Sequence, residues 1–283
     1  MFELGLSTCG KTIGSELFSA CAANGIKYLE ISVDDHDSID PGKIVGEARE
    51  YGVGIRSYHL PFYPFEKIDP SSPEPGLRRA SAEYHRLLIS RAAQAGIGIF
   101  VVHASGEPIS DADRKTHMEC ACESLALLAE HAGREGAVIA VEDLPRSCLG
   151  RDSGEINRLI SADGRLRVCF DTNHLLTGET ASEFVAAVGE KIITTHVSEY
   201  DFLNERHWLP GEGTTDWREL VSSLEKVGYG GAWIYEVGFK TPGSIVRGRD
   251  LECKDFLKNY NEIFTTGCPS PVGIPLPGLT GWN

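Results

Sequence analysis

The chain has 283 residues, 41% hydrophobic and 24% charged, and its 27 basic against 41 acidic side chains leave a formal charge of −14. Such a surface repels a phosphate backbone, so neither DNA nor RNA is expected as a partner. No apolar run approaches the ~20 residues of a membrane span, and Met1–Gly5 lacks the basic and apolar stretches of a secretory signal, so a cytoplasmic protein without membrane contact is expected.

Apolar runs of strand length recur at Phe2–Leu6, Tyr28–Val33, Gly54–His59, Ile99–His103, Val138–Glu142, Leu166–Asp171, Ile192–His196 and Ala232–Val237. Their β-branched and aromatic character suits parallel strands buried on both faces. Helical patterns such as Gly76–Ala95, Asp111–Gly133 and Asp216–Val227 lie between them, with Gly25, Gly96 and Gly228 placed where helices stop. Eight strands alternating with eight helices predict an α/β fold, a single-domain (β/α)8 TIM barrel over residues 1–266. A doubly wound sheet is disfavoured, because Gly5-Leu6-Ser7-Thr8-Cys9-Gly10 does not match the glycine pattern of a dinucleotide-binding turn.

The proline-rich Pro61–Gly76 follows strand three on the face where barrels carry their active sites, the place for a lid. Residues 267–283 form a Pro- and Gly-rich tail expected to lie non-helically along the surface. Its Val272, Ile274, Leu276, Leu279 and Trp282 leave a subunit contact, hence a homodimer, or an active-site cover as the alternatives. The eight cysteines are scattered and expected to be reduced.

Chemistry-bearing residues fall where strands end. Strand four runs into His103, five into Glu142, six into Asp171 with His174 three residues on, seven into His196 and eight into Glu236. In a barrel these ends open onto one face, so residues remote in sequence share a pocket. Any one of the acids could instead cap a helix. Several carboxylates in one pocket repel unless a cation or proton neutralises them, and this mixed oxygen and nitrogen set suits one divalent ion: Mn2+, Mg2+, Co2+ or Zn2+.

Val-Glu142-Asp-Leu-Pro, Phe-Asp171-Thr-Asn-His174, Thr-His196-Val-Ser and His207-Trp-Leu-Pro-Gly211-Glu-Gly213 resemble the xylose isomerase-like TIM-barrel superfamily of sugar phosphate isomerases and epimerases, AP endonuclease family 2. The resemblance spans nearly the whole chain. In the epimerase branch it implies a metal quartet of Glu142, Asp171, His196 and Glu236, with His174 on a substrate oxygen. Glu142 and Glu236 are then the catalytic pair, removing and returning a proton beside an enediolate. In the endonuclease IV branch it implies further metal positions, matched here by His59, His103, His174 and Glu205-Arg206-His207, where Glu205 replaces an Asp.

His59, His103, His174, His207 and Arg206 are accordingly expected to bind substrate, while Arg146, Arg151, Arg206 and Lys240 lie near enough to strand ends to meet a phosphate. Two positions depart from the ketohexose epimerases: Cys148 stands where their substrate-binding Glu would fall, and Phe202 where their Arg would fall. The expected function is a metal-dependent isomerase or epimerase of a small carbohydrate: a sugar, sugar acid, polyol or sugar phosphate. A dehydratase of the inosose type and a multinuclear zinc phosphodiesterase are the alternatives.

Overall fold

The structure is a computed structural model describing residues 2–280. Eight parallel strands close a barrel in chain order: β1 (Glu3–Ser7), β2 (Tyr28–Ile31), β3 (Gly54–His59), β4 (Ile99–Val102), β5 (Val138–Glu142), β6 (Arg167–Asp171), β7 (Ile192–Val197) and β8 (Ala232–Tyr235). The helices between and after them are α1 (Ser15–Ala23), α2 (Pro41–Glu50), α3 (Pro75–Gln94), α4 (Arg114–Arg134), α5 (Ser153–Ile160), α6 (Ala181–Val188), α7 (Trp217–Lys226) and α8 (Cys253–Thr266). The predicted alternation therefore forms, with β3 and β5 at their expected bounds and other strands shifted by a residue or two.

Local chemistry sets the helix starts. Asp40 and Glu74 accept backbone N–H groups of α2 and α3, each ahead of a proline at the first helical position. Thr180 and Glu183 form a capping box on α6.

The apolar side chains separate into two groups. The main core lies between sheet and helices and takes Ile139 and Val141 of β5, Val168 and Phe170 of β6, and Trp233 and Tyr235 of β8. A small cluster of Val101, Ala140 and Cys169 fills the barrel interior. Side chains alternate across a strand, so the residue two beyond each interior one shares its face. That rule sends His103, Glu142 and Asp171 inward at the C-terminal ends. A register shift between Leu29 and Glu30 in the β2–β3 pairing marks the point where Glu30 enters the interior.

The tail beyond α8 does more than lie along the surface. Gly273–Pro275 (β10) pairs antiparallel with Ile245–Arg247 (β9), and the Gly273 N–H donates to Glu212 Oε1 at 2.7 Å. A Cβ on Gly273 would come within 2.6 Å of the Arg247 side chain, so only glycine fits there. Trp282 lies outside the described residues. All eight cysteines are free thiols, and no helix among the described residues is long and apolar enough to cross a membrane.

Candidate active site and metal centre

At the C-terminal end of the barrel the loops enclose a cavity of ≈ 820 Å³. Donor atoms of Glu142, Asp171, His196 and Glu236 all lie within 4.8 Å of one another, and all four residues are buried. His196 Nδ1 stands 2.7 Å from Glu142 Oε1, 3.6 Å from Glu236 Oε2 and 4.0 Å from Asp171 Oδ2. Asp171 Oδ1 accepts the Asn173 N–H at 2.7 Å, but the buried Oδ2 has no hydrogen-bond partner. An unpaired buried carboxyl oxygen is costly, and the three carboxyl groups crowded at the Nδ1 edge of one imidazole repel one another. A divalent cation fits both the orphaned oxygen and the donor chemistry.

The electrostatics follow from crowding. Burial disfavours charge on Glu142, but His196 and His103 outweigh it and hold the carboxyl well below its usual range. Glu236 is also lowered, His196 overcoming burial there. At Asp171 burial dominates, and the carboxyl is pushed well above its ordinary value. Burial opposes charge on His196, yet Cys169, Glu236, Glu30 and Glu142 raise the ring well above its usual value.

Glu30 was not singled out in the sequence, because it sits inside an apolar strand and not at the end of one of the last five. Its Oε1 lies 2.8 Å from His196 Nε2, and its Oε2 accepts from Ser57 Oγ at 2.7 Å. Wholly buried, it faces the Nε2 edge of the ring and so aims the Nδ1 edge at Glu142, Glu236 and Asp171. The available signal was an acid with apolar neighbours on both sides, Leu29-Glu30-Ile31.

His59 and His103 meet the other oxygen of Glu142: each Nε2 lies 3.1 Å from Oε2. His59 is fixed from behind by the Leu60 carbonyl at 2.9 Å from Nδ1, and Phe62 stacks on the His103 ring with centroids 4.2 Å apart. Phe62, Tyr63 and Phe65 bring the Pro61–Gly76 loop onto the cavity wall.

A second cluster is carried by loops. His174 Nε2 lies 2.8 Å from Glu205 Oε1, and donor atoms of His174, Glu205 and His207 lie within 4.8 Å of one another. Glu205 is pushed up by burial, but hydrogen bonds from His174 and Arg146 prevail and hold it at about 2. Arg146 Nη1 meets Glu205 Oε2 at 2.6 Å, and the same guanidinium meets both Glu107 oxygens, at 2.6 and 3.2 Å. Arg146 and His207 are both left-handed, at φ 55° and 49°, a strained conformation for residues with side chains.

His59, His103, His174 and His207 thus all line the cavity. Arg206 does not: its side chain is buried, with Nε donating to Asp201 Oδ2 at 2.7 Å, and its backbone N–H is held by Asn173. Arg151 and Lys240 also stand off the lining, beside Glu155 and Asp250. The cationic side chains on the cavity wall are Lys11 and Arg146, and Lys11 Nζ donates to the carbonyls of Ser7, Cys9 and Val237.

Known proteins share this architecture. The crystal structure of a D-tagatose 3-epimerase-like protein superposes with a TM-score of 0.74 at 22% identity, covering 84% of this chain and 91% of its own. A D-psicose 3-epimerase crystallised in the presence of D-fructose gives 0.76 at 18% identity, over 94% of this chain and 100% of its own. At these identities the likeness is one of fold. The uncharacterized protein MJ1311 of Methanocaldococcus jannaschii is 25% identical over 207 residues, 70% of each chain. Residues 18–251 match the family model described as xylose isomerase-like TIM barrel, and the chain belongs to that family.

Proposed function

We propose that the chain is a divalent-metal-dependent isomerase or epimerase of a small carbohydrate. The observation that carries this reading is the convergence of Glu142, Asp171, His196 and Glu236 beneath an open cavity, with Asp171 Oδ2 buried and unpaired. Those four residues would hold the ion, which when bound supplies positive charge to stabilise an enediolate on adjacent substrate oxygens.

The remaining steps belong to the protein. Glu142 and Glu236 both rest as carboxylates, the state a general base needs. One removes the proton of a carbon beside the carbonyl. Its return by the same carboxyl to the adjacent carbon, with a proton passing from the hydroxyl oxygen to the former carbonyl oxygen, gives isomerisation, and delivery by the opposite carboxyl to the other face of the same carbon gives epimerisation. His59 and His103 hold Glu142 Oε2 in place, His174 is held between Glu205 and the Asp143 carbonyl on the cavity wall, and His207, whose Nδ1 faces the Glu236 carbonyl, offers its Nε2 to a sugar hydroxyl. Phe62 supplies an apolar face for the ring carbons.

The test is incubation of a panel of ketoses, polyols and their phosphates in D2O with metal-loaded protein. Carbon-bound deuterium in substrate or product is expected. No exchange across the panel, together with cleavage of a phosphodiester, overturns the reading. The second reading, a multinuclear phosphodiesterase, is favoured by one observation, the additional donor groups His59–His103–Glu142 and His174–Glu205–His207.

A further inference from the structure

The three-donor group of His174, Glu205 and His207 has the residue types of a metal site, but each oxygen of its carboxylate already has a partner. Glu205 Oε1 faces His174 Nε2 at 2.8 Å and Glu205 Oε2 takes Arg146 Nη1 at 2.6 Å. The same guanidinium nitrogen reaches Asn204 Oδ1 at 3.1 Å, and the Asn204 side chain also accepts the Glu205 N–H at 2.9 Å. On its other edge Arg146 grips Glu107 through two nitrogens. His174 is fixed by the Asp143 carbonyl at 2.7 Å from Nδ1, and His207 Nδ1 lies 3.1 Å from the Glu236 carbonyl.

Contrast with the deeper quartet decides what the group can do. There a buried carboxylate oxygen lacks any partner; here both oxygens of Glu205 are met, one by a permanent positive charge. The guanidinium is brought there by a backbone at φ 55°, a conformation that costs a residue with a Cβ and persists only where its surroundings hold it.

We propose that Arg146 is the resident cation of the His174–Glu205–His207 group, so that this corner of the cavity excludes a metal ion. A divalent ion there would have to share Glu205 with Arg146, at the cost of lying beside a like charge or displacing it. The corner then offers substrate the Nε2 of His207 beside a guanidinium already held by carboxylates, which suits a hydroxyl oxygen and does not suit a phosphodiester bridged between ions. The inference rests on the proposed ion site at Glu142, Asp171, His196 and Glu236.

The experiment counts ions. The full chain is stripped with a chelator, dialysed against Zn2+ and analysed for zinc per chain, alongside Arg146→Asn and Arg146→Lys. Asn tolerates the left-handed backbone and removes the charge, and Lys keeps the charge. Native protein is expected to hold one or two ions, Arg146→Asn one more than native at an affinity raised about 100-fold, and Arg146→Lys the native number. Three ions in the native chain, or no gain in Arg146→Asn, overturns the proposal. No ion at all in the native chain overturns the underlying metal reading instead. If Arg146→Asn does not fold, anomalous scattering from a Zn2+-soaked native crystal decides: zinc between His174, Glu205 and His207 overturns the proposal, and Arg146 still on Glu205 with no zinc there supports it.

Discussion

Two acid–histidine clusters share one cavity wall and differ in what carries them. Glu142, Asp171 and His196 lie on barrel strands, with Glu236 one residue beyond β8, and the backbone ladder holds them. His174, Glu205 and His207 sit on loops, with His207 and the neighbouring Arg146 in left-handed conformations. The strand cluster leaves a buried oxygen unpaired, while the loop cluster satisfies its carboxylate from within the chain. Similar residue types therefore stand in different states: one group keeps a buried oxygen unpaired, and the other has a guanidinium on its carboxylate.

The comparison breaks most readily at the proton-transfer pair. Glu142→Gln and Glu236→Gln should each lower kcat by about 10²–10⁴-fold, the usual contribution of a positioned acid or base, with little loss of folded protein. Steady-state kinetics beside circular dichroism checks this, and near-native turnover in both variants removes the pair from the mechanism. Chelation should abolish turnover, with recovery on adding Mn2+ or Co2+; a metal-stripped enzyme at full speed ends the case for the quartet.

Glu30→Gln tests whether the strand cluster depends on support from behind. It removes the carboxylate that orients His196 and should weaken metal binding about 10–100-fold. Titration of the apoprotein with Mn2+ measures it, and an unchanged Kd shows that the ring is held by other contacts.

The loop cluster should show itself in stability. Glu205 titrates at about 2 in the folded chain against about 4.3 unfolded. A lowered folded value contributes stability that is full above the unfolded pKa and is lost as pH falls toward the folded one. Glu205→Gln should therefore cost about 3 kcal/mol at pH 6, with the gap to native protein closing between pH 4.5 and 2. Denaturant midpoints at pH 6, 4 and 3 test this, and a gap that does not change with pH contradicts it.

The smallest effect belongs to the loop histidine. His207→Ala should raise KM by about tenfold, the scale of one or two lost hydrogen bonds, with kcat nearly kept. A kcat loss matching that of Glu142→Gln would place His207 in the chemical step and erase the distinction between the clusters.

Much of this was legible in the residues. A strand that ends in an acid or histidine after an apolar run announces both its burial and its inward-facing last residue, so Glu142, Asp171 and His196 could be placed before any coordinates. Glu30 escaped because an acid within a strand looks like an ordinary interruption until β7 is seen beside it. Arg206 was expected at the substrate and lies against Asp201, while Arg146 takes the cavity wall. Sequence distance from a strand end says nothing of where a loop turns, and the left-handed residue at Arg146 carries no marker such as glycine.

By itself the sequence determined the barrel, its order and the convergence of four donors at strand ends, because alternation and periodicity are local properties repeated eight times. Only the tertiary structure decided which oxygens are paired. Hydrogen bonds such as Glu30–His196, 166 residues apart, and Arg146–Glu205, 59 apart, depend on side chains meeting across a closed sheet and its loops. No local pattern encodes that geometry.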